Sequence, residues 1–334
     1  MRAGRGVLAV VLGAVLAGGL PAAAGAEDTV AFRIRDPRIT ESSGLARDVA
    51  GGLYWTINDS GADPVVYGLE PDGRLRGTFA YRATPRDVEA IAVRGSRLYV
   101  ADIGDNNASR AMVTVYYFTN PRATGLTVTY NAYDFRYPDG AHDAETLLVD
   151  DTGRLYLVTK GAPGGIYAAP QDPSRSGVNR LTRVADAPSL VTDGVFLPDG
   201  RGLALLTYGS VEILDPTTYQ SLARAPIPAQ PQAESLAVSL EGDALLVGSE
   251  GRGSKVYSIP IPAGSGPVST PASGGTAAPT AAGTPADSGE EDPGGDAEAG
   301  TPTASRRGTV RAVGLAAVVA VVAGVVVAFA RRPG

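Results

Sequence analysis

The chain of 334 residues has no cysteine, one histidine, His142, and lysine only at Lys160 and Lys255. The missing cysteine removes disulfides, thiolate zinc sites and cysteine nucleophiles together. The scarcity of histidine removes imidazole clusters that hold zinc or copper, and it leaves a serine hydrolase one candidate base. No G-x-S-x-G elbow is present, and Ser42 or Ser43 would have to meet His142 from another part of the fold. Basic residues number 29 against 35 acidic ones, for a net charge of −6, and they form no stripe. Nucleic acid is therefore not a predicted partner. Convincing amphipathic helices are also missing between residues 27 and 262. Short alternating runs of Val, Leu, Ile and Tyr, separated by Gly, Pro, Asp and Asn turns, predict an all-β domain there.

The two ends differ from this body. An apolar run from Val7 to Leu20 follows Arg2 and Arg5 and leads to small residues at Ala24 and Ala26, which predicts a signal peptide over 1–26. From Ala312 to Ala330 the chain is apolar or glycine throughout, about 28 Å as a helix, close to the hydrocarbon thickness of a membrane. Arginines flank that stretch on both sides, so charge does not orient it, whereas the signal peptide puts the body outside. Residues 263–305 are rich in Pro, Gly, Ala, Ser and Thr and read as a disordered stalk. The predicted order is signal peptide, ectodomain at 27–262, stalk, and a transmembrane anchor with a short tail at 306–334. The expected location is the cell membrane, single-pass, with the domain extracytoplasmic.

Within the body a unit recurs. "SGLA" at 43, "EAIA" at 89, "ETLL" at 145, "DGVF" at 193 and "ESLA" at 234 each open a short strand. A turn later come "LYWTIND", "LYVADIG", "LYLVTKG", "LALLTYG" and "LLVGSEG", then a third strand in each unit and a fourth in the first four. Four strands at a spacing of about 40 to 56 residues make a propeller blade. The fifth unit stops after its third strand, and "VAFRIRD" at 30–36 is the segment free to complete it. The predicted fold is a five-bladed β-propeller closed by its N-terminal strand, which hides the open sheet edges.

In such a blade the first strand lines the channel and the second runs back beside it, so first-strand starts and second-strand ends share one face. First-strand starts carry Ser43, Glu89, Glu145, Asp193 and Glu234, and two residues earlier stand Glu41, Asp87 and Asp143. Second-strand ends add Asn58, Asp59, Asp102, Lys160 and Glu250. Two carboxylates about 6 Å apart at an effective dielectric near 20 repel by roughly 3 kcal/mol. A ring of them calls for a cation, a basic partner, bound protons or a polar ligand.

Oxygen donors with almost no histidine suit Ca²⁺ or Mg²⁺, with Asp87, Glu89, Asp143 and Glu145 as the predicted ligands and no organic cofactor. Lys160, Arg110 and Arg86 are the competing neutralisers. In "DIGDNNASR", Asp105 and Asn106 suit a turn, and Arg110 can fold back onto Asp102 or Asp105, which makes that loop structural. For each acid the alternative remains that it staples blade to blade through backbone N–H groups. That alternative does not account for the extra Asp87 and Asp143. His142 has no equivalent in the other units and reads as a rim residue.

The set "ESSGL", "NDSG", "DVEAIA", "ADIGDN…R" and "DAETLL…LYLVTK" resembles a group of secreted bacterial β-propeller proteins. It is distantly similar to the five-bladed SdiA-regulated propellers and the esterase-like domain of phytases. The resemblance covers about 40–260 and implies a propeller with an acidic, calcium-binding funnel. Phytase chemistry is not implied with it, because Lys160, Arg110 and Arg86 are few for a polyanion. The leading expectation is a binder of a small ligand or a cell-surface protein at the funnel, with a divalent cation. Alternatives are a calcium-dependent hydrolase of esters or phosphoesters at the same place, and a structural surface scaffold.

Overall fold

The computed structural model describes residues 29–59 and 63–264. The predicted signal peptide, the anchor and all but the first two residues of the stalk lie outside them. Among the described residues no helix is long and apolar enough to cross a membrane.

Five antiparallel sheets form the five blades. Their inner strands are Ser42–Asp48, Val88–Arg94, Ala144–Val149, Val191–Phe196 and Ala233–Val238. Second and third strands follow by hairpins, and the N-terminal strand Thr29–Arg33 pairs with Lys255–Pro260 as the outer strand of blade five. The expected closure is thus present.

The strand expectation needs one correction. "LTVTYNAYDF", which the sequence suggests as the fourth strand of the second unit, divides: Thr127–Val128 pairs parallel with Leu75–Tyr81 of blade one, and Asn131–Arg136 forms the fourth strand of blade two. Val178–Arg180 likewise adds a fifth, parallel strand to blade two ahead of Thr182–Ala187 in blade three. The chain crosses from one blade to the next along an open edge, and the edge amides capture it in passing.

Apolar side chains on the two faces of each blade produce five separate cores, one at each blade interface. Trp55, 1% exposed, packs edge-on to Phe79, which packs in turn on Phe118 of blade two. Blades are held by side-chain interdigitation, while the inner strands present their edges to the axis.

Every inner strand carries a bulge at its start. The register skips Gly44, Glu89, Glu145, Thr192 and Glu234 in blades one to five. A bulge frees one residue from the ladder and re-aims its side chain. In three of the five blades that residue is a glutamate. Gly44 adopts φ +71°, and a side chain there would meet Ile91 of blade two at 3.0 Å, so glycine fits the position in blade one.

Candidate functional site

The three bulged glutamates converge at one end of the channel with acids from neighbouring loops. Carboxylate oxygens of Asp59, Asp87 and Glu89 lie within 4.8 Å of one another, and so do those of Asp59, Glu234 and Glu250. Asp59 belongs to both groups. It follows the second strand of blade one, Asp87 precedes the inner strand of blade two, and Glu250 follows the second strand of blade five.

Glu89 is the most constrained member. It is 4% exposed, and its carboxylate accepts no hydrogen bond among the described residues. Gly104 is what makes room for it: a Cβ there would lie 2.5 Å from Glu89 Oε1 and 2.5 Å from Asp87 Oδ2. Burial, and then the like charges of Glu145, Asp59 and Asp87, push the Glu89 carboxyl up to about 11 against the opposing pull of Lys160.

Two further acids have partners. Gln232 Nε2 bridges Glu234 Oε1 at 2.6 Å and Glu250 Oε1 at 2.7 Å. Burial and the contact with Glu250 raise Glu234 to about 9. Glu145 Oε1 accepts from Lys160 Nζ at 2.9 Å, and that ammonium also sits 5.4 Å from the centre of the Tyr208 ring. Burial outweighs the lysine, so Glu145 stands near 7. On the lysine itself burial works the other way, yet Glu145 and Tyr208 leave it above its usual value.

Other residues expected on the rim are engaged in holding loops. Asp102 accepts the amides of Arg86 at 3.1 Å and Asp87 at 3.0 Å, together with Arg110 Nη1 at 2.8 Å. Asp105 accepts from the Arg110 amide at 2.7 Å, and Asn106 is exposed in the turn. Arg110 does fold back as the motif suggested, onto Asp102 and the Gly104 carbonyl. Asp143 accepts the Asp105 amide at 2.8 Å and so ties blade three to this loop. Asn58 spends its amide on Thr40, Glu41 and Arg38 backbone groups, and Ser43 Oγ donates to the Glu89 carbonyl at 2.6 Å. Glu41 and Arg86 are exposed.

Asp193 departs most from the expectation. In blade four the bulge falls at the same ladder position as in the other blades, on Thr192, so Asp193 stands one residue beyond the glutamate position and is paired opposite Leu206. Its carboxylate is fully enclosed and accepts the amides of Leu236 at 2.6 Å and Gly194 at 2.7 Å, with the Leu45 amide contributing as well. It joins blades four, five and one. His142 is likewise structural: Nε2 lies 2.9 Å from Asp139 Oδ1 and 3.1 Å from the Tyr167 hydroxyl, between the rings of Tyr137 and Tyr167.

The mouth thus gathers Asp59, Asp87, Glu89, Glu145, Glu234 and Glu250 around one ammonium, Lys160. The sequence gives no sign of Gly104, whose lack of a side chain has no signature among so many turn glycines; the repeat does put Gln232 at the rim, two residues before Glu234, but not its bridge between Glu234 and Glu250. The comparisons with known proteins add little to this geometry. No family model and no curated protein matches the chain. Its fold is similar to that of many solved chains, among them an enzyme. That is a gluconolactonase from Xanthomonas campestris, 15% identical, with 71% of this chain and 96% of the other covered at a TM-score of 0.44. At that likeness no residue role passes from one to the other.

Proposed function

We propose that the protein is a membrane-anchored, extracytoplasmic β-propeller that binds a divalent cation at its acidic mouth and, through it, a small ligand or a cell-surface protein. The observation that carries this reading is Glu89, a buried carboxyl group that accepts no side-chain hydrogen bond from another described residue and lies among Asp59 and Asp87. Ionising this group is costly where it is buried among like charges, so it holds its proton unless a cation takes the proton's place, and the neighbouring oxygens offer a cation further ligands. Oxygens no more than 4.8 Å apart surround a point at most about 2.8 Å from each, and calcium, which takes flexible sets of carboxylate oxygens at 2.3–2.6 Å, suits them better than magnesium, which demands near-ideal octahedral geometry. Asp59, Asp87 and Glu89 are the first set of ligands, and Asp59, Glu234 and Glu250 the second. Asp143 and Glu145, also expected as ligands from the sequence, each engage one oxygen elsewhere, with the Asp105 amide and Lys160, and are left out of these two sets.

With one cation bound the mouth still carries excess negative charge, so the ligand it favours offers neutral hydroxyl or amide oxygens, or a positive group. Phosphoesters are disfavoured. The predicted anchor and signal peptide support the location. The chain leaves blade five at Pro260, opposite Ala244, at the end away from the mouth.

A second reading has one observation behind it. Glu145, near 7, is poised as a general base, and a bound cation would polarise a carbonyl beside it. Calcium-dependent turnover separates the two. Assayed against carboxylic esters, lactones and phosphomonoesters, the full chain is expected to show no turnover beyond that of its Glu145→Gln variant. Turnover that needs calcium and disappears in Glu145→Gln would make the mouth an active site.

A further inference from the structure

Beyond the acidic mouth the channel contains an apolar vault of about 450 Å³, lined by the inner strands of all five blades. Ala46, Ile91, Leu147, Gly194 and Leu236, one matching ladder position from each blade, contribute to its wall, with Leu45 and Val195 beside them. Asp193 stands at its inner end, since the amides it accepts belong to Gly194 and Leu236. The outer end is framed by the turns that follow the inner strands, on the side away from the acids.

The charged groups at that outer end are Arg47, Asp48, Arg94 and Asp151. Three of them are satisfied. Asp48 accepts the Gly51 amide and the Trp55 indole N–H, and Arg94 pairs with Asp151. Arg47 is different: Nη2 donates to the Leu240 carbonyl at 2.6 Å, Nε is buried with no partner, and no ion pair forms at this residue among those described. An arginine has five N–H donors, and a carboxylate meets two of them at once.

We propose that this vault is a second binding site, for a small apolar molecule carrying one carboxylate that pairs with Arg47. The apolar wall selects the body of the ligand, and the uncommitted guanidinium selects its charge. The space is about three times that of a 150 Å³ cavity that accepts benzene, enough for a ring with a short acidic chain. It is independent of the cation at the mouth, because Asp193 and its three amides lie between them.

Phenylacetate and 2-phenylethanol are suitable probes of like size and different charge, read by calorimetry on the full chain and by the emission of its single tryptophan, Trp55, whose indole bonds to Asp48 at the vault edge. Phenylacetate is expected to bind roughly tenfold more tightly than the alcohol, the scale of a charge-assisted hydrogen bond. Arg47→Gln should erase that preference while leaving weak binding of both. Ala92→Leu, which adds bulk to the vault wall, should weaken both, with melting curves confirming that each variant is folded. Removing divalent cations should change none of this. Failure of phenylacetate to bind the parent chain, or a phenylacetate affinity in Arg47→Gln unchanged from that of the parent, would overturn the assignment.

Discussion

Replacing Arg110 by methionine is expected to lower the unfolding free energy of the full chain by about 3–5 kcal/mol, the cost of leaving a buried charge without its partner. Arg110 and Asp102 have side chains 5% and 4% exposed, and their contact is 2.8 Å. Asp102 also holds the amides of Arg86 and Asp87, so the stranded carboxylate sits where two loops meet. A second substitution, Asp102→Asn, removes the stranded charge and keeps an acceptor for those amides. The double variant should therefore recover part of the loss. Urea unfolding curves measure both. A loss below about 1 kcal/mol in Arg110→Met would mean that the pair is no more than an exposed ion pair in effect.

The second large effect is on pH. With divalent cations removed, the melting temperature is expected to fall as pH rises from 5 to 9, and millimolar calcium to cancel most of the fall. Folding lifts Glu145 to about 7, Glu234 to about 9 and Glu89 to about 11, from an ordinary value of 4.5. A carboxyl raised in this way holds its proton more tightly when folded. Its stabilising contribution is complete below 4.5 and is lost as pH climbs through the folded value. Each proton kept by the folded state but not by the unfolded chain costs about 1.4 kcal/mol per pH unit. Asp193, raised by its burial, acts in the same direction. The groups facing Glu89 are Glu145, Asp59, Asp87 and Lys160, and only the lysine opposes the trend. Calcium replaces the protons as the neutraliser, so the slope should flatten. A melting temperature that stays level or rises with pH in the absence of cations would contradict this.

The architecture was legible because the sequence writes it five times. Ile91, Leu147 and Leu236 recur at matching places and pair with the third residue of the second-strand motif, while the same ladder position holds Ala46 in blade one and Gly194 in blade four, one residue from where the motif alignment puts it. Blade closure by Thr29–Arg33 followed from a missing strand. The site was legible in part. The repeat brought Glu89, Glu145 and Glu234 to one end, but it could not tell a bulged residue from a paired one, and that single-residue offset in blade four turns Asp193 from a rim acid into a joint between blades. Which acids keep a free carboxylate depends on donors that come from distant loops. Asp143 is claimed by the Asp105 amide and Asp102 by Arg110, contacts set by loop paths that no spacing encodes. Asp59 gains its place between two groups only when blades five, one and two close around it.

Calcium titration of the full chain by calorimetry, at neutral pH, tests the central claim most directly. The parent is expected to bind calcium more tightly than magnesium. Glu89→Gln should weaken it at least about tenfold, through loss of a charged oxygen ligand. Gly104→Ala should weaken it as well, because its Cβ would press on Glu89 and Asp87, while leaving the fold intact. No heat of binding in the parent, or an unchanged affinity in Glu89→Gln, would contradict a cation site at the acidic mouth.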